Sequence, residues 1–198
     1  MADYKTRKPT RLTGFDYSNE SGYFVTICTL NKICYFGSVY NNKMKLNKFG
    51  KIAESCWLEL KEVFKDIVLH EFIIMPNHIH GIIIISKEIR QSKDNMNFEW
   101  QGLINQAPTN QISTDWILMK DKSLTLGKII RYYKAKTSYC LKSAGLKDFS
   151  WQRNYNDHII RGGKDYNAIQ ECIHYNAVKW ENDKENIKLT PLAKMVLK

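Results

Sequence analysis

Five cysteines are present, Cys28, Cys34, Cys56, Cys140 and Cys172, but no CxxC pair, and the number is odd. Neither a disulfide framework nor a zinc ribbon is indicated, and reduced thiols in a cytoplasm are the expectation. The opening stretch MADYKTRKPTRLTG lacks an apolar core, so no signal peptide is expected. Long hydrophobic runs are also missing. Ile82–Ile85 is far too short to cross a bilayer. Acidic residues are scarce: 20 Asp and Glu stand against 30 Lys and Arg, a formal net charge of +10. That surplus favours an anionic partner, with nucleic acid or an acidic membrane surface the usual ones.

What is present suits one compact domain. The chain has 198 residues, 43% of them hydrophobic and 12% aromatic. GYFVTICTL (22–30) is dense in β-branched and aromatic residues and predicts a strand. Asn41-Asn42 is a turn signal that predicts a small hairpin over 35–47. Between Phe49 and Phe64, apolar residues recur at three- and four-residue spacing, which predicts an amphipathic helix. Strands are expected over about 69–75 and 79–86. A polar insertion or mobile loop, with a short WILM island, is expected over about 87–122. A long basic helix follows over 123–145, with Ser123 as its cap and Gly145 as its stop. The stretch 151–162 ends in a short strand, 165–179 forms a last helix, and a loosely held charged tail covers about 181–198. Elements in this order fit an α+β fold, an antiparallel ferredoxin-like sheet with helices packed on one face. Neither an internal repeat nor a second domain is visible.

One segment stands out. In FIIMPNHIHGIIII (72–85), His78 and His80 open the greasiest strand. Side chains at i and i+2 of a strand share a face, so the two imidazoles project together while Ile79 points away. Paired imidazoles supply two of the ligands a divalent metal needs. They would also suit two ordinary polar residues at a strand edge, and a metal site needs a third ligand. On a central strand, however, a polar pair is costly unless it faces a cavity or a metal. His70, His158 and His174 show no such pairing. For His70 and His158, surface or hydrogen-bonded side chains are expected.

Between Ser123 and Lys164 there are nine Lys and Arg, opposed only by Asp148 and Asp157. Tyr132, Tyr133, Tyr139, Trp151 and Tyr155 are interleaved with them. Cations neutralise phosphates and rings stack on unpaired bases, so this is a candidate nucleic-acid face, although each residue alone also suits a solvated helix or a core. Arg131 and Lys134 share a helix face at i, i+3, which makes a phosphate track reasonable.

Four stretches together resemble the REP-associated tyrosine transposases, a branch of the HUH single-strand DNA transposases. GYFVTICTLNKICYFG (22–37) is similar to that family's opening strand. IIMPNHIHGIII (73–84) resembles its His-hydrophobe-His metal motif, WQRNYNDHIIR (151–161) its Trp-Gln-Arg signature, and CIHYNAVKWENDK (172–184) its final helix. The resemblance covers most of the chain apart from 87–122. It implies a cytoplasmic, nucleoid-associated bacterial homodimer that acts on single-stranded or hairpin DNA, with no membrane partner. It implies Mg²⁺ or Mn²⁺ held by His78, His80 and Asn176, and a final helix that carries the nucleophile. DNA contacts are expected from Arg131, Lys134, Lys136, Gln152, Arg153 and Arg161.

The family attacks a backbone phosphorus with a tyrosine and rejoins strands from the covalent intermediate. In this chain Cys172 occupies the tyrosine's position. Three readings follow. Cleavage is lost while DNA binding persists, as in a domesticated binder; Tyr175, near the same helix face, substitutes; or Cys172 itself attacks, although phosphorus is a hard centre for a soft thiolate.

Overall fold

The structure, a computed structural model, describes residues 14–86 and 124–186. Strands β1 (Ser21–Cys28), β4 (Ile67–Ile74), β5 (His78–Ile85) and β6 (Asn156–Ile159) form one antiparallel sheet in the order β4-β5-β1-β6. A separate hairpin joins β2 (Gly37–Tyr40) to β3 (Lys43–Leu46). Its turn residues Asn41 and Asn42 both have positive φ, 49° and 58°, the conformation two-residue hairpin turns require and asparagine tolerates.

Strand alternation divides the sheet into two unlike faces. Tyr23, Val25 and Ile27 of β1, with Ile79, Ile83 and Ile85 of β5, enter the main core. This face packs on α1 (Lys48–Leu58) and α3 (Leu126–Ser143), which bring Ala53, Trp57, Ile129, Ile130 and Tyr133. Gly81 sits on the same side, and a Cβ there would lie 2.3 Å from the Trp57 ring. Glycine lets the indole lie directly against the strand. The opposite face carries Phe24, Ile73, Ile82, Ile84 and Ile160, packed on Ile169, Ile173 and Tyr166 of α4 (Gly163–His174). The expected α+β antiparallel architecture is present. Helices on one face describes α1 and α3; α4 covers the other face, because the even-numbered residues of β5 are as apolar beyond His80 as the odd ones.

Local signals explain most boundaries. Asn47 caps α1 by accepting from the amides of Phe49 and Gly50, both at 2.9 Å. The helix expected to run to Phe64 breaks at Glu59 and resumes as the single turn α2 (Leu60–Val63). Helix α3 is capped by Thr125, whose Oγ1 accepts from the Lys128 amide at 3.3 Å. The expected Ser123 cap, the 87–122 insertion and its WILM island lie outside the described residues. Gly145, at φ +101°, stops α3 as expected. The last helix ends at His174 and gives way to turns, then a 3₁₀ turn at Trp180–Asn182. Among the described residues, no helix is long and apolar enough to cross a membrane.

Candidate metal centre

His78 and His80 lie on the α4 face of β5, at the end of the Ile82–Ile84 stripe. Register places His78 opposite Cys28 and His80 opposite Thr26, deep in the sheet. Both imidazoles are buried, at 0% and 6% exposure, and their rings are 4.5 Å apart. The preceding turn is tied from three sides. The Met75 amide donates to the His78 carbonyl at 2.8 Å, Phe36 N–H to the Pro76 carbonyl at 3.0 Å, and Thr29 N–H to the Asn77 carbonyl at 2.9 Å.

Asn77 orients the site. Its Nδ2 donates to the carbonyls of Lys32 (2.9 Å) and Glu185 (2.8 Å), which leaves Oδ1 to accept from His78 Nδ1 at 2.9 Å. His78 is thereby fixed with its lone pair on Nε2, and that atom is buried without a hydrogen-bond partner. His80 Nδ1 lies 2.9 Å from Thr26 Oγ1, and its ring stacks on Phe24. Burial holds both groups neutral. His80 is pushed down to about 4, and His78 well below the usual histidine range, with repulsion from His80 as the next cause.

The segment after α4 closes the site. Asp183 brings an oxygen 3.9 Å from His78 Nε2, and donor atoms of His78, His80 and Asp183 lie within 4.8 Å of one another. Asn176 is buried beside them. Its Nδ2 reaches Asp183 at 3.4 Å, and its Oδ1 is buried without a partner. Glu185 seats the segment, accepting from Cys28 Sγ at 3.4 Å and pairing with Lys32 at 3.1 Å. Two neutral nitrogens with a carboxylate and an amide oxygen form a donor set that fits a divalent cation. The unpartnered His78 Nε2 and Asn176 Oδ1 are what such an ion would satisfy.

Sequence reasoning missed Asp183 and Glu185, placing them in a loosely held tail; residues 181–186 instead pack on the histidines. The only sequence signal was that the resemblance continued to Lys184. The two nucleophile candidates stand apart from this buried group. Cys172 is exposed on α4, and Tyr175 is 47% exposed beside His174.

The expected DNA-binding residues divide into two sets. Arg131, Gln152, Arg153 and Arg161 are exposed. Lys134 Nζ donates to the carbonyls of Gln152 (2.6 Å) and Asn154 (2.9 Å), so it pins the loop before β6 rather than standing beside Arg131 in a phosphate track. Lys136 pairs with Glu59 at 2.9 Å. The pinned loop borders the metal centre, since Gln152 N–H donates to the Cys28 carbonyl at 2.9 Å. His70 bonds the Tyr166 hydroxyl at 2.7 Å and His158 pairs with Asp165 at 2.8 Å, the hydrogen-bonded roles expected of them.

A pH prediction follows for metal-free protein. His80 titrates near 4 when folded and near 6.5 when unfolded, so between those values the unfolded chain binds more protons. Stability is therefore full above about pH 6.5 and falls as pH drops toward 4. Urea midpoints in EDTA at pH 7 and 4.5 should show the decrease, and equal midpoints would contradict it.

No protein-family model matches the sequence. A Haemophilus influenzae protein described only as uncharacterized is 40% identical over 178 residues, covering 89% of this chain and 91% of that one. The chain belongs to that protein's family. Among solved structures, a REP-associated tyrosine transposase bound to a REP hairpin aligns with TM-score 0.46 and 16% identity, over 86% of this chain and 74% of that one. A candidate transposase from Deinococcus radiodurans aligns at 0.35 and 11%, over 84% and 96%. Both likenesses are distant, and the chemistry of the site rests on its own residues.

Proposed function

We propose that this chain is a transposase-like protein that binds single-stranded or hairpin DNA beside a Mg²⁺ or Mn²⁺ site, and that strand cleavage and rejoining are lost with the tyrosine at position 172. The supporting observation is the buried, unpartnered Nε2 of a neutral His78, aimed at Asp183 and flanked by His80 and Asn176. The net charge of +10 and the four stretches that resemble HUH transposases supply the anionic partner and its class.

His78 and His80 would hold the cation with an oxygen from Asp183 or Asn176. Once bound, it would polarise a backbone phosphate oxygen and offset charge built up on it. Exposed Arg131, Arg153 and Arg161 would hold flanking phosphates, and Lys134 would shape the Gln152–Arg153 loop. On a 3.6-residue helix, Cys172 lies four residues before Asn176 and about 40° from its direction, whereas Tyr175 is about 100° away. Position 172 is therefore the better placed for attack near the cation, and its thiol is a poor match for phosphorus.

The test pairs the natural chain with Cys172→Tyr. Each is incubated with Mn²⁺ and 3′-labelled hairpin DNA from the flanks of its own gene, then run on native and denaturing gels. Both proteins should retain the hairpin, and only Cys172→Tyr should form a denaturation-resistant adduct. An adduct from the natural chain would show a working nucleophile, with Tyr175→Phe deciding which. Failure of either protein to retain hairpin DNA in native gels would overturn the reading.

A further inference from the structure

Away from the histidines, on the opposite face of the sheet, a second group of reactive side chains lies between α1 and α3. Cys56 of α1 is buried in the main core, and half-buried Cys140 of α3 packs against it. The two thiols hydrogen-bond to each other across the packed helices. At their edge, Glu59 accepts from Lys136 Nζ at 2.9 Å and from the Tyr132 hydroxyl at 3.1 Å. Lys136 precedes Cys140 by one helical turn on the same face. Nothing in the proposed DNA chemistry uses these groups.

We propose that Cys56 and Cys140 are a reversible dithiol–disulfide pair, a redox modification site that staples α1 to α3. Thiols already in hydrogen-bonding contact need only small side-chain rotations to reach the roughly 2.05 Å of a disulfide. The two have unequal roles. The hydrogen bond from Cys56 and then the nearby Lys136 ammonium lower the Cys140 thiol, while the same hydrogen bond and burial raise Cys56. Cys140, also the more accessible, is the attacking sulfur, and Cys56 resolves. The other thiols lack this setting. Cys28 is held at about 12 by burial and by Glu185, and Cys34 and Cys172 are exposed without a second cysteine contact.

A peroxide is the oxidant. The Cys140 thiolate attacks one peroxide oxygen, the O–O bond breaks, and hydroxide leaves, giving the sulfenic acid. Cys56 sulfur then attacks Cys140 Sγ. The S–S bond forms, the S–O bond breaks, and the Cys56 proton leaves with the oxygen as water. Two thiols are oxidised and one peroxide is reduced to two waters, the first hydroxide taking a proton from solvent. A thiol reductant reverses the step.

The full-length protein would be treated with hydrogen peroxide, quenched, digested without reduction and mapped by mass spectrometry. The expected product is an intramolecular Cys56–Cys140 disulfide, with a rise of several degrees in unfolding midpoint that dithiothreitol reverses. In Cys56→Ser, and in Cys56→Ala should serine disturb packing, Cys140 should stop at a sulfenic acid trapped by dimedone. A Cys140 that proceeds to sulfinic acid in the natural chain with Cys56 still reduced would overturn the proposal. So would a pair still reduced after Cys172 has been oxidised.

Discussion

Replacing His78 and His80 together by alanine should weaken Mn²⁺ binding by more than roughly 100-fold, as read by titration calorimetry. Both side chains present neutral nitrogens from the centre of a rigid sheet, and no other described histidine is near enough to replace them. Folding should survive, since neither imidazole belongs to the two apolar clusters and far-UV circular dichroism should keep its helical shape. Single variants then apportion the oxygen donor. Asp183 lies 3.9 Å from the unpartnered His78 nitrogen, so Asp183→Ala should cost more affinity than Asn176→Ala. Asn77→Ala should cost roughly 10- to 100-fold by freeing the His78 ring that it orients. Full Mn²⁺ affinity in the double histidine variant would refute the metal assignment.

Gly81→Ala should be the most damaging single methyl in the fold's centre. The added Cβ would meet Trp57 carbons at 2.3 and 2.8 Å, and Trp57 is fully buried between Tyr133 and Phe72. The indole has no space to retreat, so strand and helix must separate. The expected loss is on the order of 3 kcal/mol, or about 6–12 °C in unfolding midpoint. In a Trp57→Phe background the smaller ring vacates that space, and the same substitution should cost much less. Equal costs in both backgrounds would mean that the clash does not set the role of this glycine.

Much of the architecture was legible because its signals are local. The Asn41-Asn42 turn, the Gly145 stop and the i, i+2 pairing of His78 with His80 need only neighbours in sequence. The break at Glu59 was not legible, since apolar spacing continues unchanged through Phe64 and only tertiary packing interrupts the helix. The position of α4 on the second face was hidden for a related reason. An Ile-rich strand buried on both sides shows no alternation, so periodicity cannot tell one covering layer from two. Lys134 was legible as a cation but not as a clamp, because its acceptors are loop carbonyls, which carry no sequence signature. Asp183 was the hardest to see. An aspartate in a charged stretch looks solvated until Asn77 and Lys32, more than a hundred positions earlier, are found holding Glu185 beside it.

That long reach bears on the order in which the centre comes into being. His78 and His80 are set by a hairpin turn and by pairing with β1, contacts available once the first half of the chain has emerged. The carboxylate opposite them comes only after residue 185 meets Cys28, a separation of 157 positions that makes this among the slowest closures in the molecule. Imidazoles come first and the oxygen donor last. During synthesis or refolding, the chain thus passes through a stage in which a formed sheet displays two ligands without the third. Capture of a cation marks the completion of folding in this protein, not its beginning.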